Sequence, residues 1–483
     1  MDTRLISYLR AIVGPEWVLT SLEARLTYRS DALTAYQALP GVVVLPGTAE
    51  EVQAVVRLCA REGVPFVARG SGTGLSGGAV PLAQGVLLVL SRLNRILAVD
   101  LENAQITVEP GVLNLEVSRR VASAGLFYAP DPSSQQVCSI GGNIAENSGG
   151  MHCLKYGFTT HHVLAVKVVL PTGELVRLGS RTLQPPGYDL LGVFIGSEGT
   201  LGVVVEATLR LVRLPESVQL VMAAFPTVEA AGAAVSAIIA AGIIPAAIEL
   251  MDQLCIQATE EAVHAGYPRE AGALLLIELD GSPPEVAADT NAVVAVCQHH
   301  GALEHRVATS PAERALLWKG RKSALPAMGR LAPAYYLQDG VVPRTALPAL
   351  LRRIASLAAA AGLRVANVLH AGDGNLHPLV LYDPRVPGET ARAEELAGQI
   401  LLACVELGGS ITGEHGVGLD KKRYLPTMFS EADIETMQRV RCAFDPAWQS
   451  NPDKLFPTPR LCGERPGPYR PHPLVEAGVA TLF

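Results

Sequence analysis

The chain has 483 residues, 49% hydrophobic and 18% charged, with a formal net charge of −7 at pH 7. That length calls for two or three domains, and the composition excludes a long disordered tail. The acidic balance argues against nucleic acid, whose phosphates need a basic face, but leaves room for a small anionic substrate held by one or two local cations.

Asp2 and Arg4 come too early for an uninterrupted apolar run, so no secretory signal is read. Eight cysteines (Cys59, Cys138, Cys153, Cys255, Cys297, Cys404, Cys442, Cys462) are scattered without a Cys-x-x-Cys pair. They offer no ligand run for an iron–sulfur cluster, and the expectation is reduced thiols in a cytoplasmic protein.

The first readable unit opens at Val42-Val43-Val44-Leu45. Thr48 then caps a helix, Glu51 completes a capping box, and Val52, Val55, Val56 and Cys59 fall on one apolar face. Gly63 ends the helix and residues 64–68 read as a strand, so a βαβ unit delivers the chain into the loop R-G-S-G-T-G-L-S-G-G at 69–78. Gly72, Gly74 and Gly77 satisfy the dinucleotide pattern G-x-G-x-x-G, and Gly74, Ser76 and Gly78 satisfy G-x-S-x-G. Both patterns require a following helix, whereas Pro81 and Gly85 interrupt and a strand comes next. What survives is a run of exposed backbone N–H groups that lets a polyphosphate approach closely.

Further strands are expected at 86–90, 106–108, 163–170 and 203–211. Between them lie P-D-P-S-S at 130–134 and the glycine clusters 141–150 and 196–202. Any one cluster could be a turn; three of them point to a large phosphate-bearing cofactor. Past Pro215 the glycine density falls and segments at 219–224, 228–241, 246–251 and 274–279 alternate strand and helix, a shift typical of a new domain. The uncharged stretch 230–248 is mostly alanine and glycine and contains Pro245. It reads as a buried helix running into a strand, not as a membrane span. A helix at 390–407 precedes Gly408-Gly409-Ser410.

Residues 370–377 read H-A-G-D-G-N-L-H between two predicted strands, 364–369 and 378–382. A hairpin centred on Asp373-Gly374 would set His370 opposite His377, on one face, where two imidazoles can grip one metal ion. Two histidines alone leave such a site in need of a third ligand. Arg321, in W-K-G-R, could simply be a solvated helix charge.

The glycine clusters together with S-I-G-G-N-I-A-E-N-S-G-G-M-H-C-L-K-Y-G resemble the FAD domain of the vanillyl-alcohol-oxidase type flavoenzymes. Within that group they are similar to the 2-hydroxy-acid dehydrogenases, the glycolate oxidase and D-lactate dehydrogenase flavoproteins. The resemblance implies an α+β fold: an FAD-binding domain of two α/β subdomains at 1–214 (core 41–214), an antiparallel-sheet-plus-helices cap at 215–410, and a C-terminal segment at 411–483 returning to the flavin. It implies that Arg69, Gly70, Ser71, Gly72, Thr73, Gly74, Ser76, Gly77 and Gly78 wrap the FAD pyrophosphate. Pro130, Asp131, Ser133, Gly141, Gly142, Asn147, Gly149, Gly196, Ser197, Glu198, Gly199, Gly202 and Asn451 would line the rest of the cofactor.

Some relatives attach FAD through a histidine in the first loop; Thr73 and Ser76 stand there instead, which implies non-covalent FAD. The same resemblance implies His370, His377 and Glu414 as ligands of a divalent metal, usually zinc, with His415 as proton acceptor and Arg321 on the substrate carboxylate. Leu325 and Leu337 replace polar anchors of relatives that act on larger diacids, which favours a small substrate. The implied reaction oxidises a small D-2-hydroxy acid, glycolate or D-lactate, with hydride to flavin N5. The implied partners are a second flavin-binding subunit and an iron–sulfur subunit at the inner face of the membrane. A non-catalytic flavin electron-transfer subunit is the alternative, and it would need no histidine hairpin.

Overall fold

The computed structural model describes residues 1–182, 187–457 and 462, so the expected C-terminal segment 411–483 lies partly outside the described residues. The α+β expectation holds: three main sheets carry the chain, each covered by helices. The first has four strands in the order Val18–Leu19, Val42–Val44, Val86–Val89, Phe66–Arg69. The helix Ala49–Glu62 links the second and last of these. Thr48 caps it through the Glu51 N–H, and Val52, Val55, Val56 and Cys59 are buried. The capping box differs from expectation, because the Glu51 carboxylate turns one residue further back and accepts the Gly47 N–H at 2.6 Å. The two strands joined by the helix do not pair with each other; Val86–Val89 lies between them, parallel to both.

The second sheet is antiparallel, in the order Ile96–Asp100, Gln105–Val108, Val203–Arg210, Val163–Val169, Leu175–Gly179. Its connections carry the second and third glycine clusters.

The third is an eight-stranded antiparallel sheet. Its centre is formed by Ser217–Phe225, Ala273–Gly281, Ala247–Asp252, Arg364–His370 and Asn375–Tyr382. Leu274, Leu275, Leu276 and Ile277 form a continuous apolar run because both faces of this strand are covered. Each such burial contributes roughly 1.5–3 kcal/mol. Leu275 and Ile277 pack with the helices Val228–Ala240, Pro283–His299, Leu347–Ala361 and Glu389–Glu406. Leu274 and Leu276 face the opposite layer, with Met251, Val368 and Leu379 and the helices Gln253–Val263 and Pro311–Lys322. The period of two places Glu249 with Met251, His370 with Val368, and His377 with Leu379 on that second face.

The uncharged stretch is the helix Val228–Ala240 followed by the strand Ala247–Asp252, as expected, and no described helix is long and apolar enough to cross a membrane. The expectation of reduced cysteines fails at one pair. Cys442 and Cys462 form a disulfide with Cα atoms 5.6 Å apart, a closeness that a separation of 20 residues does not advertise. The other six cysteines are free and buried.

Candidate active site

A cavity of about 510 Å³ runs between the three glycine clusters and ends against the second face of the large sheet. At one end lie Arg69 to Gly74 and Gly78, at its sides Ser133, Gly141, Gly142, Ser197, Glu198, Gly199, Gly202 and Asn451, and at the far end Arg321, His370, His377, Glu414 and His415. The residues expected to hold a cofactor and those expected to do chemistry thus border one space.

Local packing explains the glycines. Gly72 has φ +72°, and a Cβ there would sit 2.1 Å from the Arg69 guanidinium, which bends back to donate to the Ser30 carbonyl at 2.8 Å. Arg69 therefore shapes the first loop from within. At Gly70 a Cβ would strike the Ser139 hydroxyl at 2.1 Å, so the first and second clusters are in contact. A helix, Ile140–Glu146, forms inside the second cluster, capped by Ser139 and closed by Asn147 at φ +52°.

Seven of the expected residues stand behind the cavity wall. The Ser76 carbonyl accepts the Leu419 and Asp420 N–H groups, and Gly77 packs on Leu419. Pro130 accepts from Asn114 Nδ2, and Asp131 pairs with His152 at 2.8 Å. Asn147 accepts the Thr160 N–H, the Gly196 N–H donates to Ile144, and Gly149 packs on Glu414.

The histidine hairpin differs from expectation in register. His370 pairs with Asn375 and Val368 with His377, because the turn has four residues, 371–374, instead of two. The pairing is offset by two residues, which preserves the face; an offset of one would have sent His377 to the other layer. The two histidines are consequently diagonal neighbours, with ring centroids 5.0 Å apart. Their Nε2 atoms converge on Glu414 Oε1, at 3.3 Å from His370 and 3.2 Å from His377. His415 stacks on His377 at 5.0 Å.

Two buried acids escaped the sequence reading. Glu249 accepts from His370 Nδ1 at 2.7 Å, and its other oxygen pairs with Arg321. Asp339 Oδ2 collects the Thr412 hydroxyl and the N–H groups of Gly413, Glu414 and His415 at 2.7 to 3.2 Å. Oδ2 also pairs with Lys421 at 3.3 Å, and Oδ1 lies 3.9 Å from His377 Nδ1. The available signal was a lone acid in an apolar strand, A-I-E-L-M at 247–251, since such a charge is buried only where it has a partner.

The electrostatics follow. Burial works against charge on His370, yet Glu249 and Glu414 override it and hold its pKa well above the imidazole range. The surroundings thus call for positive charge. Glu414 also resists burial and stays well below the carboxylate range through its hydrogen bonds to His370 and His377. His415 behaves oppositely: burial pushes it down to about 4, His377 and Lys421 adding to this against the pull of Asp339. The donor set of two imidazole nitrogens and one carboxylate, each Nδ1 facing an acid, suits a divalent transition metal. Arg321 is 2% exposed, and its Nε has no hydrogen-bond partner among the described residues.

Comparison with known proteins agrees with this geometry. Residues 40–179 match the family described as FAD binding domain, and residues 214–455 match FAD linked oxidases, C-terminal domain. The chain is 50% identical to glycolate oxidase subunit GlcD of Escherichia coli, over 96% of its length and 93% of that protein. It is 42% identical to the protein of that name in Bacillus subtilis, covering 92% and 95%. It is 35% identical to D-lactate dehydrogenase of Anaerostipes hadrus, again covering 92% and 95%. Among solved structures, 4-ethylphenol oxidase from Gulosibacter chungangensis superposes with a TM-score of 0.79 at 18% identity, covering 94% of this chain and 96% of that one, a likeness of fold.

Proposed function

The chain belongs to the FAD-linked oxidases, and from that premise we propose how its site works and what it serves. It is an FAD-dependent oxidoreductase of small 2-hydroxy acids. The reading of its residues rests on one observation: Arg321, His370, His377, Glu414 and His415 all meet at one end of the cavity that the glycine clusters line.

Bound FAD supplies the acceptor for the two electrons leaving the substrate Cα, and a divalent metal, zinc by preference, supplies the Lewis acid that makes the hydroxyl proton acidic. His370, His377 and Glu414 would hold the metal. Glu249 fixes the His370 ring from behind through its hydrogen bond, and Asp339 faces the His377 ring at 3.9 Å. Arg321 turns its free Nε edge to the substrate carboxylate while Glu249 holds its other side. His415, neutral at pH 7, receives the hydroxyl proton at an imidazole nitrogen. Leu325, Tyr335 and Leu337 form an apolar wall on the same cavity, which suits the hydrogen of glycolate or the methyl of D-lactate better than a second carboxylate.

FAD is held without a covalent bond, because the first loop presents Thr73 and Ser76 and no histidine. Electrons leave through partner subunits, a second flavin-binding subunit and an iron–sulfur subunit, with the protein on the cytoplasmic side of the inner membrane. In this reading the domains divide at about 214 and 410; the start of the family match at residue 214 supports the first division.

An anaerobic visible spectrum tests the reading: glycolate and D-lactate bleach the flavin band, and acid precipitation leaves all flavin in the supernatant. An unbleached spectrum with both acids would overturn it. In air-saturated buffer, reoxidation should lag far behind reduction; peroxide formed one for one at the rate of reduction would remove the partner subunits from the proposal.

A further inference from the structure

Glu146 ends the helix Ile140–Glu146, and its carboxylate is wedged where three loops meet. A Cβ on Gly78 would fall 2.9 Å from Glu146 Oε1. A Cβ on Gly416 would fall 2.2 Å from Glu146 Oε2 and 3.0 Å from Glu198 Oε1. Two acids therefore bear on one glycine, next in sequence to His415, and only a residue without a side chain leaves room for both.

The two acids are not equivalent. Glu198 accepts the Val417 and Gly418 N–H groups at 2.7 Å each, the solvation an ionised carboxylate requires. Glu146 Oε2 is shut off from solvent and receives no hydrogen bond from the described residues. Two like charges confined in one buried place cannot both ionise, and a proton converts the unpartnered acceptor of Glu146 into a donor.

We propose that Glu146 carries a proton shared with Glu198, and that this acid pair is a positioning device that seats the loop bearing His415 against the flavin cavity. The positioning role rests on the reading of His415 given above; the shared proton does not.

The charged groups facing Glu146 are Glu198 on the third glycine cluster, Asp31 beside the first, Lys421 after the catalytic loop and Lys454 on the C-terminal return. Burial first, then Glu198 and Asp31, hold Glu146 well above the carboxylate range; the two lysines oppose this. Neither lysine is free to neutralise it by contact. Lys421 is engaged by Asp339, and Lys454 donates to the Val80 carbonyl and to Asn451 Oδ1. With the folded pKa raised, the seating is present at neutral pH and is lost as pH rises through the ionisation of Glu146.

The test uses the FAD-loaded full chain and E146Q, which keeps a neutral donor of the same shape. Infrared difference spectra in light and heavy water should show a protonated carboxyl band at pH 7 that disappears in E146Q and titrates away in the wild type at alkaline pH. Above that ionisation, wild-type kcat should fall and FAD release should rise about tenfold per pH unit. E146Q should lack this alkaline limb, whatever rate it shows at neutral pH. No carboxyl band in the wild type overturns the shared proton, and this reading survives a variant that fails to fold. A band accompanied by the same alkaline limb in E146Q overturns the positioning role. FAD release decides the matter even if turnover has been assigned to the wrong acid.

Discussion

Glu249 lies directly opposite His370 across two antiparallel strands and accepts its Nδ1–H at 2.7 Å, while the other Glu249 oxygen pairs with Arg321. One buried carboxylate thus orients a candidate metal ligand and the candidate substrate cation together. Glu249→Gln keeps the shape and removes the charge. Metal affinity should fall about 10–100-fold and KM should rise alongside it. Dialysis against graded chelator, followed by metal analysis and steady-state kinetics, checks both; undiminished metal retention would separate Glu249 from the metal.

His377→Ala should lose the metal and retain the flavin. The ring serves Glu414 and stacks on His415, and the glycine clusters do not depend on it. Metal content should drop to background and kcat by at least about 100-fold, with the flavin-to-protein ratio unchanged. Full metal occupancy with normal turnover would take the hairpin out of the mechanism.

Arg321→Lys should raise KM for the hydroxy acid about 10–100-fold, the equivalent of one charge-assisted hydrogen bond. A lysine cannot serve Glu249 and a substrate carboxylate through separate edges of one planar group. Substrate titrations under anaerobic conditions give the comparison, and an unmoved KM would leave Arg321 as a partner of Glu249 alone.

Asp31→Asn addresses stability against pH. Burial raises the Asp31 carboxyl to about 6, and its Oδ2 has no hydrogen-bond partner among the described residues, while Oδ1 accepts the Leu33 N–H that an asparagine oxygen can also accept. The folded state holds the proton to higher pH than the unfolded chain. The wild type therefore loses roughly 2 to 3 kcal/mol of stability between pH 4 and 6, and the variant does not. Urea midpoints should favour the variant increasingly as pH rises from 4 to 7. A constant difference across that range would mean that Asp31 does not titrate there.

Much of this could be read from the chain alone where the determinants are local. The helix Ala49–Glu62 was legible because its cap, apolar face and terminal glycine lie within 16 residues of one another. The face shared by His370 and His377 was legible from strand alternation. Their register was not, because turn length depends on how Gly374, at φ +86°, packs under the Val342 carbonyl. Glu249 and Asp339 were missed because they act on residues far along the chain, His370 at a separation of 121 and His415 at 76. The Cys442–Cys462 bridge was missed for the same reason: only the folded path brings the two sulfurs together.

The parallel bridge between Phe66 and Ser450 has a consequence for biosynthesis. Gln449 and Asn451 exchange main-chain hydrogen bonds with Phe66, and Asn451 Nδ2 closes on the carbonyls of Gly78 and Glu198. A nascent chain emerging from the ribosome completes the first strands early, yet it cannot seal the glycine clusters until about residue 450 has been made. Contacts of such long range form late in folding. A chain cut short of that point would lack this closure, and its glycine clusters would stand without the strand that ties them together.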